Sequence, residues 1–165
     1  MKVFLVALSF AVFACFAWAD AYDDGMDAAS GGDWEGAVEQ FTQAIKIDPN
    51  NADAYYDRGR SYAELGDHSE AIADYTQAIK LDPNVMIFHA RGLSYYNLDD
   101  HKKAIEDYTR AIKIEPKFAM AYFSRGNSYI KLGDFVKAEK DARKACDLGS
   151  CDLLLLMERE GKIAQ

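Results

Sequence analysis

The chain has 165 residues, half of them hydrophobic, with 19 Lys and Arg against 27 Asp and Glu and a net charge of −8. An acidic balance of this size excludes the basic face that a nucleic-acid backbone requires. Three Cys are too few for a disulfide framework, three Pro are too few for a Pro-rich linker, and the length fits one domain-sized object.

Residues 1–19 read as a secretory signal. Lys2 is followed by an apolar run from Val3 to Phe16, closed by Ala17-Trp18-Ala19, a small-x-small pattern. Cleavage is expected after Ala19, which removes Lys2 and takes the mature charge to −9. Two other readings stay open. The apolar run is just long enough to remain as an uncleaved anchor. Val12-Phe13-Ala14-Cys15 bears a faint resemblance to a bacterial lipobox, which the bulky Phe13 and the apolar residues beyond Cys15 weaken.

From Asp20 onward the chain repeats itself. Gly25, Gly59, Gly92 and Gly126 lie 34, 33 and 34 residues apart, and Ala37, Ala71, Ala104 and Ala138 keep the same spacing. A period of about 34 residues predicts an all-α solenoid of antiparallel helix pairs. Four repeats are expected, at residues 20–50, 51–83, 84–117 and 118–148, within a single domain spanning 20–165.

The first repeat is worn. Ala21 and Ala28 stand where the next copy has Tyr55 and Tyr62, and Gly31-Gly32 follow the first helix, which is expected to be the least stable. Its second helix starts at Asp33 as N-cap and carries an apolar face of Trp34, Ala37, Val38, Phe41, Ala44 and Ile45 before Pro49. Later first helices are predicted near Ala52, Val85 and Phe118. Their partners follow the N-cap residues Asp67, Asp100 and Asp134, with Asp67 and Glu70 forming a capping box. The mid-helix glycines predict close approach of a neighbouring helix, with the faces at Ala71, Ala104 and Ala138 as partners. Arg58, Arg91 and Arg125 are each followed 16 residues later by Asp74, Asp107 and Asp141, and the first repeat lacks both groups together. This predicts internal Arg–Asp pairs rather than a row of cations gripping an acidic ligand. After Ala145 the pattern breaks. Leu148-Gly149-Ser150 is a helix stop and a new N-cap, and a capping helix is predicted within 150–161, its leucines filling the space left by Ala142.

These residues also resemble a known family. Tyr55, Gly59, Tyr62, Leu65-Gly66-Asp67, Ala71-Ile72, Tyr75, Ala78 and Pro83 are similar to the pattern of the tetratricopeptide repeat (TPR), and the resemblance extends from about residue 20 to 148. It implies a right-handed α-solenoid of about four TPR units plus the capping helix, and a scaffold that binds proteins or peptides. It further implies that first helices line the concave face. The binding set is then Tyr56 and Arg60; Met86, His89, Leu93 and Tyr96; and Met120, Phe123, Asn127 and Ile130. Some TPR proteins clamp a C-terminal carboxylate with Lys and Asn. Here Tyr56, His89 and Phe123 replace the cations and only Asn127 fits, so the expected ligand is an extended or helical segment with apolar anchors. The terminal helix or another copy of the chain is the competing occupant of this groove. Cys146 and Cys151, five residues apart in an exported chain, look like the paired Cys that staple helices in bacterial repeat proteins. The alternative is two small buried thiols.

Chemistry beyond recognition is not indicated. His68 and His101 occupy equivalent positions expected to face solvent, His89 stands alone, and no Cys/His spacing makes a metal site. The sequence points to no enzyme, no cofactor, no metal and no small-molecule substrate. The expected function is an extracytoplasmic adaptor for a protein or peptide, with possible self-association and with membrane contact only if the signal is uncleaved. The alternative is a structural, oligomeric component of an envelope or secretion assembly held through the C-terminal helix. A signal-bearing chain of this kind resembles proteins of the bacterial periplasm or cell surface, or secreted ones.

Overall fold

The computed structural model describes residue 18 and residues 20–163. The expected signal, its cleavage after Ala19 and the reading of Cys15 fall outside these residues, Trp18 excepted. All regular structure among them is helical: α1 (20–30), α2 (Trp34–Ile47), α3 (Ala52–Leu65), α4 (His68–Leu81), α5 (Val85–Asn97), α6 (His101–Ile114), α7 (Ala119–Lys131), α8 (Phe135–Asp147) and α9 (Asp152–Arg159). The fold is an all-α solenoid of helix pairs. It divides into two compact units, the first ending at Asp82 and the second beginning at Pro83.

Local chemistry sets the helix ends. Asp33, Asp100 and Asp134 each accept from the backbone amide three residues on, at 3.0, 3.2 and 3.1 Å. Asp67 makes no such bond, so the expected capping box with Glu70 is absent. First helices are capped too: Asn51 accepts from the Ala54 amide at 2.9 Å, and Asn84 from those of Met86 and Ile87. At the other end, Asp48, Asp82 and Glu115 are extended, as a residue preceding proline must be. The turns inside repeats need a left-handed residue. Gly66 and Gly133 supply it at φ 85° and 76°, while Asp99 occupies the same place at φ 59°.

In the first unit α3 packs against α2 and α4. In the second, α7 packs against α6 and α8 and also touches α5 and α9. The glycines mark where side chains of second helices press on first helices. A Cβ at Gly25, Gly59 or Gly92 would lie 2.7, 2.8 or 2.6 Å from the ring of Phe41, Tyr75 or Tyr108. The partner is thus chiefly an aromatic ring, not the alanine face expected. A ring is accommodated only if the opposing helix has no side chain there. Ala142 offers no ring in the last repeat, and Leu153 from α9 takes its place, 2.6 Å from where a Cβ on Gly126 would stand. Ala138, Ala142, Leu153 and Met157 form one buried cluster, which is how α9 covers the end of the second unit. The N-cap position of α9 is Cys151 rather than Ser150. Cys146, on the last turn of α8, is joined to Cys151 by a disulfide across that turn.

The Arg–Asp pairs are present in three repeats. Arg58 grips Asp74 with Nε and Nη2, both at 2.7 Å, and Arg91–Asp107 and Arg125–Asp141 repeat this fork at 2.7 and 2.8 Å. Two further bonds were not foreseen. Arg58 Nη1 donates to Thr42 Oγ1 at 3.0 Å and Arg125 Nη1 to Thr109 Oγ1 at 2.9 Å. In these two places the guanidinium therefore joins both helices of its own repeat to the second helix of the repeat before it.

Candidate functional site

The residues assigned to ligand by the sequence lie at every third or fourth position of first helices, away from the faces that meet second helices. In the second unit, Met86, Leu93 and Met120 are exposed, at 43%, 40% and 49% of their surface. Tyr96, Phe123, Asn127 and Ile130 are half-buried. His89 departs from expectation: it is buried, its Nε2 lies 3.1 Å from Ser124 Oγ, and its ring contacts those of Tyr108 and Phe118. Burial lowers its pKa to about 4, so the imidazole is neutral near pH 7. His89 ties α5 to α7 rather than facing a ligand. His101, expected to face solvent, is also buried, beneath the ring of Tyr96 at 5.0 Å.

Helix α9 reshapes the end of this face. Phe123 and Ile130 pack against the cluster that contains Leu153 and Met157, so part of their surface is covered by the chain itself. What remains is a cavity of about 390 Å³ lined by Phe123, Asn127, Asp152, Leu153, Leu155, Leu156 and Arg159. Leu155 is 60% exposed on its rim. The Asn127 amide donates back to the Phe123 carbonyl at 3.2 Å.

The first unit carries Tyr56 and Arg60. Tyr56 is half-buried with its ring 5.9 Å from that of Tyr75. Arg60 is exposed, lies over the Tyr56 ring and reaches Asp57 Oδ1 at 3.3 Å. Here the sequence reading missed Tyr22. Its hydroxyl donates to Asp57 Oδ2 at 2.6 Å, and its ring contacts Phe41 and stacks on Trp18. Burial, then the bond to Asp57, raises its pKa, which keeps the phenol protonated. Tyr22 to Asp57 and His89 to Ser124 span the same 35 residues. Both pairs bridge successive first helices, and that shared spacing was the available signal.

Among the described residues, no group of three His, Cys, Asp or Glu side chains is placed to hold a metal ion. No helix among them is long and apolar enough to cross a membrane. The chemistry offered is recognition: exposed thioether and aliphatic groups beside aromatic rings, with a few charged groups at the edges.

Comparison with known proteins agrees with this architecture. A family model described as TPR repeat matches residues 28–66 and 92–133, and two described as tetratricopeptide repeat match 52–85 and 119–149. Among solved structures, MamA protein superposes with a TM-score of 0.80 at 24% identity, over 88% of this chain and 84% of that one. The TPR domain of Arabidopsis OM64 gives 0.67 at 29% identity, over 70% and 96%. The first TPR of Spaghetti (RPAP3), bound to the HSP90 peptide SRMEEVD, gives 0.68 at 21% identity, over 70% and 93%. Among curated proteins none matches. With three family models matching along most of residues 28–149, on helix pairs of this geometry, the chain belongs to the tetratricopeptide-repeat family.

Proposed function

We propose that this chain is an exported, non-enzymatic adaptor that binds a protein or peptide through the exposed apolar face of its first helices. The observation that carries the reading is the exposure of Met86, Leu93 and Met120 on α5 and α7. Nothing in the packing of helix pairs requires large apolar groups on a solvated face, and apolar patches rich in Met and aromatic residues mark interaction sites. The peptide held by the TPR domain of RPAP3 supports the reading by analogy of fold. A C-terminal carboxylate is not the expected ligand, because Tyr56, His89 and Phe123 stand where a clamp would place cations, and His89 is buried and neutral. Export rests on Lys2, the apolar run to Phe16 and Ala17-Trp18-Ala19, with the periplasm or bacterial cell surface as destination. Intact mass of the exported chain tests this: a start at Asp20 is expected, and retention of Met1 or a lipid on Cys15 contradicts it.

One observation favours the second reading, a structural component held through the terminal helix: Leu155 on α9 is 60% exposed at the rim of a cavity. Capture of partners from the extracytoplasmic fraction separates the two. Tyr96→Ala with Phe123→Ala should abolish capture while circular dichroism shows an intact fold. If capture survives that pair and Leu155→Ala abolishes it, the site is α9.

A further inference from the structure

Every position of the first unit has a counterpart 67 residues further on, as Gly25 has in Gly92. The chemistry at these counterparts differs in one place. In the second unit, Tyr96 and His101 fill the space beside Tyr108, their rings 5.0 Å apart, and Ser124 beneath them is neutral. In the first unit the same places hold Ala29, Trp34, Phe41 and Asp57. The small Ala29 leaves a cavity of about 180 Å³, walled by Met26, Ala29, Trp34 and Phe41 and lined also by Asp57 and Arg60. That is well below the ~300–1,000 Å³ of a drug-sized ligand site and on the scale of a single side chain.

Asp57 is 8% exposed, yet lines this cavity. One of its oxygens accepts from Tyr22, and the other has only Arg60 at 3.3 Å. The Arg60 side chain is 51% exposed, so its hold is that of a surface pair, which a better-placed cation displaces at little cost. A carboxylate has about four acceptor sites, so Asp57 can take a further donor. The surroundings favour a cation as well. Residues 20–82 carry fifteen Asp and Glu against four Lys and Arg, whereas residues 83–165 carry twelve against fourteen.

We infer that this cavity is a binding site for a basic side chain, Lys or Arg, of a partner polypeptide. The apolar stem lies against Met26, Trp34 and Phe41, and the charged end reaches Asp57. An apolar wall ending in a carboxylate suits the two halves of such a side chain. The inference rests on the reading of the chain as a polypeptide binder and adds the chemistry of one anchor.

The test uses the intact chain and the Trp34 indole resonance. Three blocked hexapeptides, alternating Leu with Lys, Gln or Glu, are titrated beside n-butylammonium. The Lys peptide should shift Trp34 and bind at least tenfold more tightly than the Gln peptide, with the Glu peptide weakest. Ala29→Tyr, which installs the second unit's residue and leaves Asp57 in place, should bring the Lys peptide down to the Gln level. Asp57→Ser should do the same, and circular dichroism checks both folds. Equal affinity for Lys and Gln peptides, or undiminished Lys-peptide binding by Ala29→Tyr, overturns the inference. Butylammonium binding as tightly as the peptide makes a free amine the ligand and also overturns it. If the Lys peptide fails while Tyr96→Ala with Phe123→Ala still abolishes partner capture, the cavity assignment falls and the binder reading stands.

Discussion

Replacing Asp141 by Asn in the last repeat tests how the solenoid is held together. The Arg125–Asp141 fork has two bonds of 2.7 and 2.8 Å, and its side chains are only 16% and 5% exposed. Asn keeps the shape and removes the charge, leaving a largely buried guanidinium without its counterion. Breaking a buried pair from one side costs roughly 3–5 kcal/mol, a large part of a domain stability of about 5–15 kcal/mol. Thr109→Val removes only the 2.9 Å bond from Arg125 Nη1 to the preceding repeat, so about 1.5 kcal/mol is expected, the low end for a charged donor. A double-mutant cycle with Arg125→Met and Asp141→Leu, followed by urea unfolding, isolates the pairwise term. Coupling well above the ~0.5 kcal/mol scatter of independent sites is expected. Strict additivity would refute the structural role and return the arginines to ligand binding.

Three further outcomes follow from single residues. His89 has an ordinary pKa of 6.5 and a folded value of about 4, so the unfolded chain takes up a proton first. Its contribution is complete above pH 6.5 and is lost as pH falls towards 4, with a limit of roughly 3 kcal/mol. Urea midpoints of the parent should therefore fall more steeply across that window than those of His89→Phe, and equal slopes would contradict the burial. Asp99 holds φ 59° where Gly66 and Gly133 serve the other repeats, so Asp99→Gly should raise thermal stability by up to ~1 kcal/mol; a loss would show that the Asp99 side chain supports the turn. Thiol titration of unfolded, unreduced protein should find Cys146 and Cys151 blocked, and their reduction should cost at or below the ~3 kcal/mol of a 15-residue loop. Two free thiols would end the disulfide.

The helix pairs were legible because a repeated error-free spacing leaves one solution: Gly59 and Gly92 can recur only if something recurs opposite them. What recurs is a ring, and the alanines that the spacing suggested lie beside it. The Arg–Asp pairs were legible for the same reason, since both partners vanish together from the first repeat. Their threonine acceptors also keep a 16-residue spacing from Arg58 and Arg125, but a lone hydroxyl carries little pattern on its own. The candidate site was less legible. Met86, Leu93 and Met120 are exposed as the helical period requires, yet His89 shares that period and is buried, because Ser124 and two rings from neighbouring helices close over it. A helical period places a side chain on a face, and only the next helix decides whether that face meets water. Tyr22 was passed over for a similar reason: the first repeat was compared at Ala21 and Ala28, one face away from the residue that ties it to Asp57.

The central claim is that a polypeptide partner lies on the exposed face of α5 and α7. Photo-crosslinking tests it most directly, with a photoreactive residue placed singly at Leu93, Met120, Leu155 or Val136, the last an exposed apolar control at 76%. Crosslinks to one and the same partner from positions 93 and 120, absent from 136, are the predicted result. Crosslinks from 155 or 136 alone, with 93 and 120 silent, would contradict it.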